Sequence, residues 1–440
     1  MSATIAVEDL RVGMFVMLDG GWLSHPFPLS SFRITTQEQL ATLRGLGLQQ
    51  VRWSPEKSEL LDEAAAAAAA AAGADAAGAS GTANDTASAA QRQAQEAAAA
   101  AALRKRSLQQ QLEASQRCER QHAEAAKAWR ESIDLVTARP QHAAQQSEAL
   151  TRALLDRMLT DDDIAIRLVA GGGDRAASHA LNVGVISLLI GRTLGLTEPE
   201  LIELGVGALM HDVGKLEVAD RFRHAEDGFN ANEVAAYRDH VAKGVAVGQR
   251  MGISAGALRV LAQHHEHADG SGFPLKLAGE RITMASRVVS LINRYDNLCN
   301  PQSRTPQLTP HEAVSVLFAQ GRNRFDPAVL NVFIRMMGVY PAGSLVQLTD
   351  DRFALVVGVN SSRPLKPRVL VHDTKVPRHE ALLLDLETQA NLGIRRSLPA
   401  SKLPTAVIEY LDPRPRVSYY FEPLSRVAAA DSEAPVELAA

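Results

Sequence analysis

The segment ALMHDVGKLEV at 208–218 starts as an apolar helix and then presents His211, Asp212 and Lys215 within five residues. His179, His240, His264 and His265, with His267 as a weaker candidate, lie in the same helical region. Taken singly, each reads as an ordinary surface or core histidine. Taken together, at the ends of different apolar helices, they match the way a helical bundle assembles a metal core. Neutral imidazoles and carboxylates hold transition metals. Two such ions ~3.5–4 Å apart can share one carboxylate, here Asp212, and lower the pKa of a water between them. Lys215 follows His211 by about one helical turn, close enough to hold a phosphate oxygen as a point charge. The predicted chemistry is metal-assisted hydrolysis of a phosphate ester.

The elements that must position these residues are legible from pattern. Between 149 and 338 the chain reads as helical almost throughout, an all-α bundle. Thr197 with Glu200 and Thr309 with Glu312 fit capping boxes, as does Asn230 with Glu233 more weakly. Pro310 stands at a first helical position. Helices are expected to begin near Ser178, Glu198, Asn232, Ala255, Met284 and Pro310. Residues 1–57 read as a small α+β module: strands in TIAVEDL, GMFVML and LQQVRW, and a short helix capped by Thr36 with Gln39. Residues 58–148 begin with nine alanines at 64–72 and a Gly/Ala/Ser stretch, read as a linker, and continue as an Ala/Gln/Arg-rich helical arm. That arm is read either as a prop between domains or as a surface for homodimerisation. From 339 to 425 the pattern has period two, with a hairpin at Asp350-Asp351 and a strand in PRVLVHDT, a small β module; 426–440 reads as a disordered tail.

At 440 residues two or three domains are expected. The balance of 46 basic and 50 acidic residues contains no long basic run, which argues against DNA as a partner. Two cysteines, Cys118 and Cys299, give no disulfide framework and suit a reducing cytoplasm. The N-terminus lacks the pattern of a signal peptide, and LNVGVISLLIGRTLGL is too short and too interrupted to span a membrane. Trp22, Trp53 and Trp129 read as packing residues, and His372-Asp373 has no partner cluster.

HDVGK at 211–215, HHEHADGSGFP at 264–274 and RVVSLINRYDNL at 287–298 resemble the successive signatures of the HD-GYP family, a branch of the HD phosphohydrolases. VEDLRVGMFV and WLSHPF resemble the small module that often precedes such domains. The resemblance implies an HD-type helical bundle with a binuclear or trinuclear iron or manganese site that hydrolyses cyclic di-GMP to pGpG or GMP. It also implies other cyclic di-GMP signalling proteins as partners. Carried over by position, it makes His179, His211 and Asp212 ligands of one metal, with Asp212 bridging. His240, His264 and His265 would hold the second. Lys215 would touch the scissile phosphate, while Asp269, Gly270, Gly272, Phe273, Pro274 and Arg287 would shape or contact the substrate site. Backbone freedom at Gly270 and Gly272 is expected in the signature turn.

Three positions depart from the family pattern. Phe273 replaces the tyrosine of the family name. Arg175 stands where some members place a glutamate for a third metal, which leaves two metals expected here. Asn293 stands where the family has the first aspartate of Asp-x-x-Asp, a ligand of the first metal; the second, Asp296, is kept. An amide oxygen at Asn293 is a neutral ligand, so the site loses one negative charge, weakening metal affinity and the attacking water. Asp296 could replace the lost carboxylate only if its helix turned. Two readings follow: a phosphodiesterase with slowed chemistry, or a relative that binds cyclic di-GMP or protein partners without turnover.

Overall fold

The computed structural model describes residues 3–17, 31–34, 40, 43–44, 50–55, 58, 85–158, 163–171, 173–224, 228–302, 305–321, 323–360, 363–389 and 391–424. The chain divides into two compact units, Met1–Gln95 and Glu96–Ala440. In the first, β1 (Ala3–Ala6), β2 (Phe15–Met17), β3 (Ser31–Arg33) and β4 (Gln50–Ser54) form an antiparallel sheet in the order β1-β4-β2-β3. Its core is Val7, Leu10, Met14, Val16, Ile34, Leu40, Leu43 and Val51. The three expected strands are present. The cap expected at Thr36 and Gln39 lies outside the described residues, as does the Ala/Gly/Ser linker at 59–84.

Helix α1 (Asp85–Leu135) and α2 (Pro140–Met158) lead into the second unit. The expected free arm is only part of α1. From Cys118 onward its inner face is buried: Cys118, Ala125, Ala126 and Trp129 join the main core. The Trp129 indole donates to Leu209 O at 2.9 Å. Gln111 pairs with the backbone of Ala381 and Leu383. Small residues at Cys118, Ala125, Ala126 and Ser132 let this helix lie close to its neighbours, and alanine-rich composition alone does not distinguish that from an exposed helix.

The bundle proper comprises α3 (Arg175–Thr193), α4 (Glu198–Met210), α5 (Ala231–Arg238), α6 (His240–Met251), α7 (Ala255–Gln263), α8 (Met284–Cys299), α9 (Pro310–Gly321) and α10 (Pro327–Met337). The capping boxes at Thr197/Glu200 and Asn230/Glu233 form, and Thr309 N and Oγ1 both donate to Glu312. Helix α3 starts three residues before Ser178 because the Asp174 carboxylate caps Ala176 N and Ala177 N. It is buried almost continuously from His179 to Gly191. Among the described residues no helix is long and apolar enough to cross a membrane.

The segment 149–338 is not purely helical. DIAIRLV forms β5 (Asp163–Val169), which pairs along its whole length with β11 (Ser418–Leu424) and on its other edge with β7 (Phe353–Asn360). The sheet runs β10-β6-β7-β5-β11, where β6 is Leu345–Leu348 and β10 is Ile394–Ser397. β8 (Arg368–Val371) pairs with β7, and β9 (Leu384–Asp385) with β8. The expected hairpin lies between β6 and β7, with Asp351 at φ +69. The C-terminal sheet therefore takes a strand from within the helical segment and returns β11 against α3, with consequences for the metal centre.

His122 on α1 is 2% exposed, packs edge-on against Tyr420, and its Nε2 has no hydrogen-bond partner. Burial lowers its pKa to about 4. The fold thus holds it neutral, while the unfolded chain protonates near the ordinary 6.5. Its contribution is complete above pH 6.5 and is lost as pH falls toward 4, on the order of 3 kcal/mol in full. Thermal melts of His122→Phe should therefore lose stability less steeply than wild type between pH 6.5 and 4; parallel curves would contradict this.

Candidate metal centre

Helix geometry sets the ring orientations. Three of the histidines sit at helix junctions where Nδ1 meets a carbonyl three residues earlier. His211 Nδ1 lies 2.7 Å from Ala208 O, His240 Nδ1 2.6 Å from Tyr237 O, and His264 Nδ1 2.8 Å from Leu261 O. Each Nδ1 is thereby the N–H donor, and each Nε2 a bare lone pair facing inward. His179 is oriented differently: its Nδ1 lies 2.6 Å from Asp296 Oδ2.

The inward nitrogens form two pairs. His179 Nε2 and His211 Nε2 are 3.2 Å apart, and His240 Nε2 and His264 Nε2 are 3.3 Å apart. Asp212 lies between the pairs. Its Oδ2 is 3.6 Å from His179 Nε2 and 3.4 Å from His211 Nε2, and its Oδ1 is 3.6 Å from His240 Nε2 and 3.8 Å from His264 Nε2. Ligand atoms bonded at ~2.0–2.2 Å to one ion stand roughly 3–3.5 Å from each other, which matches these separations. His265 joins the second group, so the clusters are His179-His211-Asp212 and Asp212-His240-His264-His265.

Two further observations test the fit of a metal. Asp212 Oδ1 and His265 Nε2 are buried and have no hydrogen-bond partner. The lone pairs of His240 and His264 face each other with no proton between them. Burial pushes the pKa of His240 down and those of His264 and His265 well down, so the rings stay neutral. Burial alone would raise the Asp212 carboxyl, but the adjacent Lys215 ammonium, helped by the His211 contact, holds it well below the usual carboxylate range. Neutral imidazoles and an ionised carboxylate aimed at a common space are the donor set of a divalent transition metal. The residues fit.

The turn that delivers Asp212 and Lys215 has a steric requirement. Val213–Glu217 forms a 3-10 turn packed backbone to backbone on the start of α6. A Cβ at Gly214 would lie 2.0 Å from His240 O and 2.3 Å from Gly244 N. Gly214→Ala must push Asp212 and His240 apart. We expect a cost of about 1–3 kcal/mol and loss of metal from the second group, read by metal content after dialysis; full retention would contradict the packing argument.

Lys215 Nζ donates to Asp212 Oδ2 at 2.7 Å and lies 6.0 Å from the centre of the Tyr237 ring. It lines two clefts. One, of about 470 Å³, holds His264, His265, Phe273, Asn293, Arg294 and Arg324. The other, of about 540 Å³, holds Trp129, Arg175, His179, His211 and Asp212. His224, unremarked in the sequence, lines both. No periodic or motif signal would have found it.

The signature loop is shaped by residues outside the expected set. The buried Glu266 carboxylate accepts from Leu275 N at 2.7 Å and Leu277 N at 2.9 Å. Gly270 has φ +76, the freedom expected of it, whereas Gly272 is needed for close approach: a Cβ there would lie 2.5 Å from His265 O. Phe273 stacks on His265 with ring centres 4.4 Å apart, and the Phe273-Pro274 peptide is cis. Asp269 Oδ1 accepts from Ser271 N within the turn. Of the loop residues carried over as substrate contacts, Phe273 lines the cleft; Asp269, Gly270, Gly272 and Pro274 do not line it.

Two expectations change. Arg287 does not face either cleft: its guanidinium donates to Asp326 Oδ2, Ile282 O and Gly279 O, fixing the loop instead of meeting substrate. Asn293 is buried beside the centre, but its Oδ1 accepts from Asn297 Nδ2 at 2.6 Å. The oxygen expected to serve the first metal thus has one of its two lone pairs engaged, which makes this neutral ligand weaker still. Asp296 has not rotated to replace it. Its Oδ2 holds His179, and its Oδ1 accepts from Asn182 Nδ2 at 2.7 Å and Asn300 Nδ2 at 2.8 Å. Both amides also donate to Val417 O. Asp296 orients a candidate ligand and ties it to the residue preceding β11.

Residues 132–329 match the HD domain family, and residues 2–147 match a domain of unknown function, DUF3391. The chain carries an HD domain. A protein named cyclic di-GMP phosphodiesterase from Pseudomonas aeruginosa is 28% identical over 376 residues, covering 84% of this chain and 85% of the relative. A cyclic di-GMP phosphodiesterase of Borreliella burgdorferi is 21% identical over 228 residues, covering 51% of this chain and 60% of the relative. A cyclic di-GMP phosphodiesterase response regulator of Xanthomonas campestris is 31% identical over 150 residues, covering 33% and 39%. In this HD domain His179, His211, His240, His264 and His265, drawn from segments far apart in sequence, gather about one shared carboxylate, Asp212.

Proposed function

We propose that the chain is a metal-dependent phosphodiesterase that hydrolyses cyclic di-GMP to pGpG or GMP, with two divalent metals, iron or manganese, in the two histidine groups. The observation that carries this is the Asp212 carboxylate set between two pairs of inward imidazole nitrogens, with Lys215 beside it. The names of the relatives support the substrate. When bound, the metals would polarise the phosphate and supply a nucleophilic water at neutral pH. His179, His211 and Asp212 would hold one; Asp212, His240, His264 and His265 the other. Burial works against the Lys215 ammonium, but the adjacent Asp212 keeps it charged, with its pKa raised. At the mouth of both clefts it meets a phosphate oxygen and offsets charge that builds on the phosphoryl group. Phe273, stacked on His265, excludes water on one side of that ring.

The engaged oxygen of Asn293 favours a second reading, in which the domain binds cyclic di-GMP without turnover. One experiment separates them. The protein is loaded anaerobically with ferrous iron or manganese, metal is counted, and cyclic di-GMP is followed by chromatography beside His211→Ala. Turnover lost in His211→Ala establishes the enzyme; binding with two metals but no turnover establishes the receptor; absence of both metal and nucleotide binding refutes both.

A further inference from the structure

Among the described residues, the cleft of about 470 Å³ that opens from His264, His265 and Lys215 is lined by no aspartate or glutamate. It carries two more cations, Arg294 and Arg324. Arg294 follows Asn293 on α8. Arg324 immediately precedes Phe325 and Asp326 at the start of α10, and its carbonyl accepts from Ala268 N at 2.8 Å, which fixes its backbone against the signature loop. Neither guanidinium makes a hydrogen bond or ion pair among the described residues, whereas Arg130 and Arg223 of the other cleft pair with Asp174 and Asp220.

We infer that Arg294 and Arg324 form a subsite for the second, non-reacting phosphate of a cyclic dinucleotide. The inference rests on the phosphodiesterase or receptor reading above, since either requires that ligand. A single phosphodiester needs only the metal groups and Lys215. A cyclic dinucleotide carries a second phosphate across its macrocycle, and a cleft of this size with unneutralised guanidiniums is suited to receive it. The free protein bears the cost of leaving the pair uncompensated: burial, and then repulsion from Arg324, lower the pKa of Arg294. Burial and the same arginines lower His267 to about 4, so it adds a neutral wall and no third charge. Guanidinium pairs bind phosphate through charge-assisted, often bidentate hydrogen bonds.

The test uses the full metal-loaded chain with Arg294→Gln, Arg324→Gln and the double variant. Dissociation constants are measured for cyclic di-GMP, cyclic di-AMP and bis(p-nitrophenyl) phosphate, a diester with one phosphate. Each single variant should weaken both cyclic dinucleotides by roughly tenfold or more, and the one-phosphate diester far less. Metal content serves as the check that the centre itself is intact. Wild-type affinity for cyclic di-GMP in the double variant overturns the subsite. A loss confined to cyclic di-GMP also overturns it, because the contact would then be to guanine. Absence of cyclic dinucleotide binding by the unmodified chain overturns the functional reading, and the subsite with it.

Discussion

Asn293→Asp is expected to raise metal affinity and turnover together, by on the order of tenfold or more, the size of effect that follows when one negative charge is restored beside a dication in a partly desolvated site. In the present chain the Asn293 oxygen is held by Asn297. A carboxylate has two acceptor oxygens, so one can keep the Asn297 contact while the other faces the first metal. The variant should bind the first metal more tightly, read by competition with a chelator, and hydrolyse cyclic di-GMP faster. An unchanged metal affinity would mean that this position does not face the first metal, and the slowed-enzyme and receptor readings would need another cause.

Asp296→Ala should have the opposite and larger effect. Asp296 is fully buried, and its oxygens satisfy His179, Asn182 and Asn300 at once. Removing it leaves these donors without their acceptor in a buried site, at a cost of about 3–5 kcal/mol. It also frees the ring of His179, and loss of such an orienting partner typically lowers metal affinity or activity by about 10–100-fold. A melting measurement reads the first effect and metal content the second. Asp296→Asn, which keeps an oxygen for the His179 N–H, should recover part of the metal affinity; if both variants hold two metals as tightly as wild type, the orienting role is refuted. The network continues into Val417 and Tyr419, whose backbone N–H groups donate to Asn300 Oδ1 and Asn182 Oδ1. The C-terminal sheet is thus part of what holds His179, although no residue of that sheet is itself a candidate ligand.

The sequence alone determined the local features. Capping boxes form among residues three apart, and the hairpin at Asp350-Asp351 depends on its own turn, so both were legible. The histidine and aspartate types in HDVGK and HHEHADGSGFP announced metal chemistry because few other uses require them together in apolar helices. Trp129 was legible as a packing residue, but composition could not show that α1 also buries Cys118, Ala125 and Ala126, because small residues suit both an exposed helix and a closely packed one. Nor could it show that DIAIRLV would leave the helical series, since so short a segment acquires its strand partners only from β7 and β11. Only the tertiary structure decided where the side-chain oxygens and guanidinium groups point. Asn293 is engaged by Asn297, Asp296 serves His179, Arg287 fixes the loop and Glu266 anchors it, because each of these contacts joins atoms whose separation depends on the packing of whole helices and strands.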